Sequence, residues 1–128
     1  MDIAKSPAGA GNITDFVPFF KAIGNPTRAQ IIEFLLRGER CVCEMTGPLD
    51  LSQPLVSHHL ALLRDAGLVR MRSEGARTYY SLEWEKFDGD LTTFAGHVER
   101  LHAAPPIPSN ADEVCAAAAA KPARRNAS

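Results

Sequence analysis

The stretch from Asp50 to Val69 constrains the fold more than any other part of this 128-residue chain. Ser52 is a good helix N-cap, and Pro54 is tolerated in the first turn that follows. Val56, Leu60 and Leu63 recur at i, i+4 and i+7, which makes one apolar stripe, and Ala66-Gly67 ends the helix. The other face is expected to present Gln53, Ser57, His58 and Ala61. A shorter helix over roughly Val42 to Leu49, with Pro48 near its end, precedes it across an Asp50-Leu51 turn. Beyond Gly67, Leu68 to Arg72 and Arg77 to Leu82 read as two strands around Ser73-Glu74-Gly75-Ala76. Arg70, Arg72 and Arg77 decorate this hairpin, and Tyr79 and Tyr80 lie on its return strand.

Two upstream helices complete the front of the domain. Thr14 or Asp15 is expected to cap the first, which carries Phe16, Phe19, Phe20 and Ile23. Asn25 and Pro26 suit the cap and first position of the second, whose stripe is Ile31, Ile32, Leu35 and Leu36, and Gly38 closes it near Arg37. The last helix begins near Trp84. Its apolar residues Trp84, Phe87, Leu91, Phe94, Val98 and Leu101 alternate steps of three and four, a narrow seam of the kind that packs on a partner helix. A homodimer built on this helix and the first one is therefore expected, and the histidines of the last helix are expected to be solvated. Residues 1–13 read as a flexible N-terminal segment and 14–103 as the folded domain. Residues 104–128 read as a flexible tail carrying Cys115, with a Pro105-Pro106-Ile107-Pro108 linker, an alanine run and a basic end.

This length supports one domain with a modest core, so dimerisation is a natural way to bury more apolar surface. No run approaches the roughly 20 apolar residues of a membrane span, and Met1 to Ser6 has no apolar signal region, so no membrane partner and a cytoplasmic location are expected. The net charge of −1 does not announce nucleic-acid binding, but a groove reader needs only a local basic face. Three cysteines in such a chain argue against a disulfide framework and for ligands, redox thiols or core residues.

Cys41-Val42-Cys43 stands at the start of the short helix. Thiolate is a soft donor suited to As(III), Sb(III), Cd, Pb or Zn. Residues two apart in an α-helix point about 200° apart, since each turns the axis by about 100°. The two sulfurs can therefore share one ion only ahead of the helix, or if its first turn distorts. A helix N-terminus also lowers thiol pKa and favours ligation at neutral pH.

On the reading helix, Gln53, Ser57 and His58 are placed to meet base edges, since Gln pairs with adenine and Ser or neutral His serves several edges. Ser52 and the helix N-terminus suit a phosphate, Arg64 is a candidate phosphate contact, and Arg70, Arg72 and Arg77 would meet backbone or minor groove. His59 falls on the inward side, where a packing or hydrogen-bonding role is expected.

The order helix, helix, helix-turn-helix, two-stranded wing, helix resembles the ArsR/SmtB family of bacterial winged-helix repressors over about Phe16 to Leu101. Two motifs carry the resemblance. Glu39-Arg40-Cys41-Val42-Cys43-Glu44-Met45 is similar to the arsenic-repressor signature ELCVCDL, and the other is Ser57-His58-His59-Leu60-Ala61-Leu62-Leu63-Arg64-Asp65-Ala66-Gly67-Leu68-Val69. The resemblance implies a mainly α fold with a small β-hairpin wing (α-α-α-α-β-β-α) and a homodimer on palindromic operator DNA. It implies release when As(III) or Sb(III) binds, with no organic cofactor. Cys41 and Cys43 would be the core ligands. Trivalent arsenic takes three sulfurs, and Cys115 is the remaining cysteine, reachable because a linker of roughly a dozen residues can span tens of ångströms.

Alternatives on the same fold are a Cd-, Pb- or Zn-responsive repressor, a two-thiol site for methylated arsenicals, and a redox switch. In the last, strain in a Cys-x-Cys disulfide makes Cys115 the expected oxidation partner. A terminal-helix zinc pattern is not met, because Asp88-Gly89-Asp90 lacks the first His and His97 and His102 are five apart. Residues 1–40 contain no cysteine, which disfavours the Cd/Pb variant with an extra N-terminal thiol. An enzyme is not expected. Neither Cys41 nor Cys43 opens a Cys-x5-Arg phosphate loop, since positions 47 and 49 are Gly and Leu, and there is no Ser/His/Asp set.

Overall fold

The computed structural model describes residues 11–120. Most of the expected N-terminal segment and the basic end at 121–125 lie outside these. The chain opens with a 3-10 turn, Ile13–Phe16, that runs into helix α1, Val17–Ile23. Its cap is Asn12 rather than Thr14 or Asp15. Asn12 Oδ1 accepts from the Thr14 N–H while Asp15 accepts from the Asn12 N–H, a reciprocal pair that ties the chain entry down.

Helix α2 spans Pro26–Leu36, with Asn25 Oδ1 capping the N–H groups of Thr27 and Arg28 as its sequence demands. Strand β1, Arg40–Cys41, leads into α3, Cys43–Leu49, and Asp50 takes the left-handed conformation (φ 55°) that turns the chain into α4, Gln53–Asp65. At the end of α4 the Leu68 N–H reaches the Leu63 carbonyl and Gly67 sits at φ 79°, a Schellman closure that only glycine adopts without strain. Strands β2, Val69–Glu74, and β3, Arg77–Leu82, form the wing around a two-residue turn with Gly75 at φ 62°. The long helix α5, Trp84–Ala103, follows, and α6, Ala111–Ala119, comes last. No described helix is long and apolar enough to cross a membrane.

Three differences from the sequence expectations have physical causes. The wing is three-stranded, in the order β1-β3-β2, because β1 pairs antiparallel with β3, Arg40 opposite Tyr80 and Cys41 opposite Tyr79. Two residues carry no readable alternation, so this strand is invisible in the sequence. Secondly, α5 divides its seam. Phe87 is buried, and Phe94 lies 5.3 Å from Phe16 and 4.7 Å from Phe20, while Trp84, Leu91, Val98 and Leu101 stay exposed. His97 is buried against Phe16, so one of the histidines expected in solvent is not there; it follows Phe94 by three positions and shares its face. Thirdly, the tail contains helix α6, exposed throughout, where only flexible chain was expected.

The core is one cluster. Ile31, Met45, Val56, Leu60, Leu63 and Leu68 are fully enclosed, and Phe19, Leu35 and Phe87 close its edges. Met45 of α3 and the α4 stripe share this cluster, so α3 cannot tilt without disturbing the packing beneath α4.

Candidate functional site

Cys41 ends β1 and Cys43 begins α3, so the pair straddles the strand-to-helix junction. This resolves the helical-spacing objection, because only Cys43 lies within the regular helix. The two Cα atoms are 5.2 Å apart and the sulfurs are joined as a disulfide. The pairing is between these neighbours, not with Cys115 as expected for an oxidised form. Cys41 is buried and Cys43 exposed.

The local sequence builds this turn with a capping arrangement that uses sulfur. Val42 already has helical angles (φ −54°, ψ −38°), so Cys41 precedes the first helical turn. Its Sγ accepts from the Cys43 N–H at 3.3 Å, and its own N–H donates to Glu44 Oε1 at 2.8 Å. The Glu three positions after Cys41 is the capping-box spacing, with sulfur in place of the hydroxyl oxygen. Glu44 was therefore legible as a positioning residue, although the sequence reading gave it no role.

A groove of about 320 Å³ opens beside the pair, lined by Cys41, Cys43, Gln53, Ser57, Arg77 and Tyr80 among others. Two of the expected base readers thus share a cavity with the cysteines. Helical geometry explains it: at about 100° per residue, positions 53 and 57 fall beside the Val56/Leu60/Leu63 stripe, on the flank facing the wing. Ser57 is half-buried there, whereas His58 is exposed on the outer face as expected, together with Leu55 and Leu62.

The opposite flank of α4 is occupied differently. Arg28 Nε donates to the Ala22 carbonyl at 2.6 Å, Nη2 to the Lys21 carbonyl at 3.3 Å, and Nη1 meets His59 Nδ1 at 3.2 Å. A guanidinium has no acceptor, so His59 Nδ1 must accept and the ring proton resides on Nε2. Partial burial, then the charges of Arg28 and His58, hold the His59 pKa below the ordinary imidazole range. The hydrogen-bonding role expected for His59 is what this contact provides.

Ser52 Oγ accepts from the Leu55 N–H at 3.3 Å and caps α4. Arg64 lies against Met71 Sδ, linking α4 to β2. Arg70 pairs with Glu83 at 3.0 Å while remaining mostly exposed. Arg72 is not a free wing cation: Nε and Nη2 both donate to Glu39 at 2.9 Å, Nη1 donates to Glu74 at 2.7 Å, and the guanidinium lies 4.8 Å over the Tyr79 ring. Those carboxylates raise its pKa further, and the Arg72 guanidinium in turn lowers that of Glu39. Glu39, 33 positions away, was not predicted as its partner. A hydrogen bond with Tyr79 raises the pKa of Arg77. Cys115 is exposed on α6, and among the described residues no three His, Cys, Asp or Glu side chains gather as a metal cluster.

Comparison with known proteins agrees with this geometry. The profile of bacterial regulatory proteins of the arsR family matches residues 25–71, which run from the α2 cap to the wing. The chain is 42% identical over 88 residues to a probable mercury resistance operon repressor of Streptomyces lividans, covering 61% of this chain and 70% of that one. It is 48% identical over 67 residues to an arsenic resistance transcriptional regulator of Pseudomonas putida, 52% of each chain. Among solved structures, HlyU from Vibrio cholerae N16961 superposes with a TM-score of 0.55 at 34% identity, over 80% of this chain and 100% of that one. The chain belongs to the arsR family of bacterial transcriptional regulators and carries its winged helix-turn-helix, the architecture of a DNA-binding repressor.

Proposed function

We propose that this repressor binds a palindromic operator as a homodimer and is released when reduced Cys41 and Cys43 ligate As(III) or Sb(III). The observation that carries the reading is the meeting of the two sulfurs at the base of α3, in a groove shared with α4. Soft thiolates match trivalent arsenic and antimony, and the motif around them is similar to that of arsenic repressors. The Streptomyces lividans relative is named for mercury and the Pseudomonas putida one for arsenic, so family membership leaves the ion open. Cys115 stands apart on α6, and the reading rests on the two convergent thiols.

Ligation at the strand-to-helix junction reorients the first turn of α3. Met45 transmits that change to the packing under α4, while β1 carries it to the wing through its ladder with β3. His58, Gln53 and Ser57 with the α4 N-terminus would read DNA, and Ser52, Arg64, Arg70 and Arg77 would meet its backbone. The unpartnered row Trp84, Leu91, Val98 and Leu101 on α5 supports a dimer face. A second reading, release by oxidation, is favoured by the Cys41–Cys43 pairing.

Operator binding followed by fluorescence anisotropy tests both. Arsenite should weaken the reduced wild type by about 5–150-fold, the usual range for coupled sites, and leave Cys41→Ser and Cys43→Ser bound. Serine variants that still respond to arsenite would remove the pair as the sensor. Release by peroxide with no response to arsenite would establish the redox reading instead.

A further inference from the structure

We infer that the groove beside Cys41 and Cys43 takes a carboxylate-bearing low-molecular-weight thiol, which stays on the bound metalloid as its third sulfur. The inference rests on the reading that this pair holds As(III). Trivalent arsenic bonded to sulfur carries three thiolates, and among the described residues the fold gathers two, with no set of three His, Cys, Asp or Glu placed to hold a metal; the neighbouring Glu44 carboxylate is engaged by the Cys41 N–H. Both cysteines line the groove, so an ion held between them borders that open space.

The groove has the size and chemistry for such a guest. Its volume of about 320 Å³ stands at the lower end of the roughly 300–1,000 Å³ typical of small-ligand pockets. Gln53, Ser57 and Thr78 supply hydrogen-bonding groups, Tyr80 lies buried in the wall, and Arg77 is the one charged lining residue. A guanidinium favours a carboxylate, which it can meet with two parallel N–H donors. Arg70 is taken by Glu83 and Arg72 by Glu39 and Glu74. None of these three carboxylates pairs with Arg77, whose side chain hydrogen-bonds Tyr79 and also feels the charge of Glu44.

Loading is a ligand exchange with no change of oxidation state. With the pair reduced, the Cys41 and Cys43 thiols displace two of the three thiolates of a tris-thiolate As(III) complex. Two As–S bonds form to the protein, two As–S bonds to the small thiol break, and each departing thiolate takes one cysteine proton. The third As–S bond is never broken, and its thiol remains in the groove with its carboxylate on Arg77. That guest lies against Gln53 and Ser57, the side chains proposed to read bases, so occupancy screens the reading face directly as well as reorienting α3.

Native mass spectrometry of the reduced full chain with arsenite and glutathione as the probe tests this without DNA. The expected species carries one arsenic and one glutathione per chain, in the wild type and in Cys115→Ser alike. Arg77→Gln should need about tenfold more glutathione to reach half-occupancy, Arg77→Lys should recover part of that loss, and 2-mercaptoethanol, which has no carboxylate, should not be retained. Arsenic bound with all three protein thiols protected and no glutathione would overturn the inference while leaving the sensor reading intact. Equal retention by Arg77→Gln, or equal retention of 2-mercaptoethanol, would also overturn it, by making the third thiol an unselected solvent ligand. No arsenic on the reduced wild type would overturn the sensor reading and this inference together.

Discussion

The two flanks of α4 are built to opposite plans. On the side of α2, Arg28 satisfies two carbonyls at the end of α1 and fixes His59 in one tautomer, so that flank is tied to the body of the domain. On the side of the wing there is a groove instead, bordered by Cys41 and Cys43 and by Gln53 and Ser57. A reading helix held on both flanks would have one position, and one held on neither would be disordered by thermal motion. Anchoring one flank and leaving the other responsive gives an element with a defined resting orientation that a ligand can shift.

The largest effect should come from removing what both flanks depend on. Leu60 is fully buried at the centre of the α4 stripe. Leu60→Ala should cost about 2–5 kcal/mol by urea denaturation, the range for deleting a buried leucine and leaving a cavity. A loss below about 1 kcal/mol would mean the core collapses around the site, and that α4 is not positioned by this stripe.

The anchored flank can be broken alone. Arg28→Ala leaves His59 and two carbonyls without their donor and should cost about 1–3 kcal/mol. The same contact sets a pH dependence. His59 is neutral in the fold, with its pKa below the ordinary value of 6.5, so the unfolded chain takes up the proton first as pH falls. Stability contributed by this contact is complete above that value and is lost as pH drops towards the folded-state pKa. The wild type should therefore lose thermal midpoint between about pH 7 and 5 more steeply than His59→Gln. Parallel slopes would show that Arg28 does not hold a neutral imidazole there.

How much of this contrast was legible follows from the range of the interactions. The α4 cap, its stripe and its glycine stop, and the α2 cap at Asn25, are written within a few neighbouring residues and were read from them. Cys41 and Cys43 announced themselves as a soft pair, and their spacing already required that they meet ahead of the helix or across a distorted first turn; Cys41 precedes α3 and Cys43 begins it. What escaped depends on residues far apart in sequence: β1 on β3, Arg28 on His59, and Glu39 on Arg72. Gln53 is exposed as read, but Ser57 is half-buried, because a helical wheel gives directions but not neighbours and the wing borders the groove that both residues line. His97 escaped because the seam pattern scored only apolar residues, and Phe16 covers a polar ring on the same face as Phe94.

One long-range tie on the groove flank is an ion pair, and breaking it should give the smallest effect on stability. Glu39 lies two residues before Cys41 and holds Arg72 of β2 through both carboxylate oxygens, yet both side chains are substantially exposed, 35% and 51%. Solvent screens such a pair, so Glu39→Gln should change unfolding by only about 0.2–1 kcal/mol. Its position predicts more for coupling than for folding. Cys41 is laddered to β3, and Glu39 adds a second attachment of the same segment to the outer strand β2. If the segment moves the wing as one body, Glu39→Gln should bind arsenite unchanged but narrow the ratio of operator affinities with and without it. The two measurements separate the possibilities: an unaltered ratio would leave the β1–β3 ladder and α3 as sufficient transmitters, while a narrowed ratio with intact stability would make the open flank a jointed one. Weak ion pairs contribute little to whether a domain folds, but a carboxylate on the sensing segment and a guanidinium on the wing need only a few tenths of a kcal/mol to bias two arrangements of nearly equal energy.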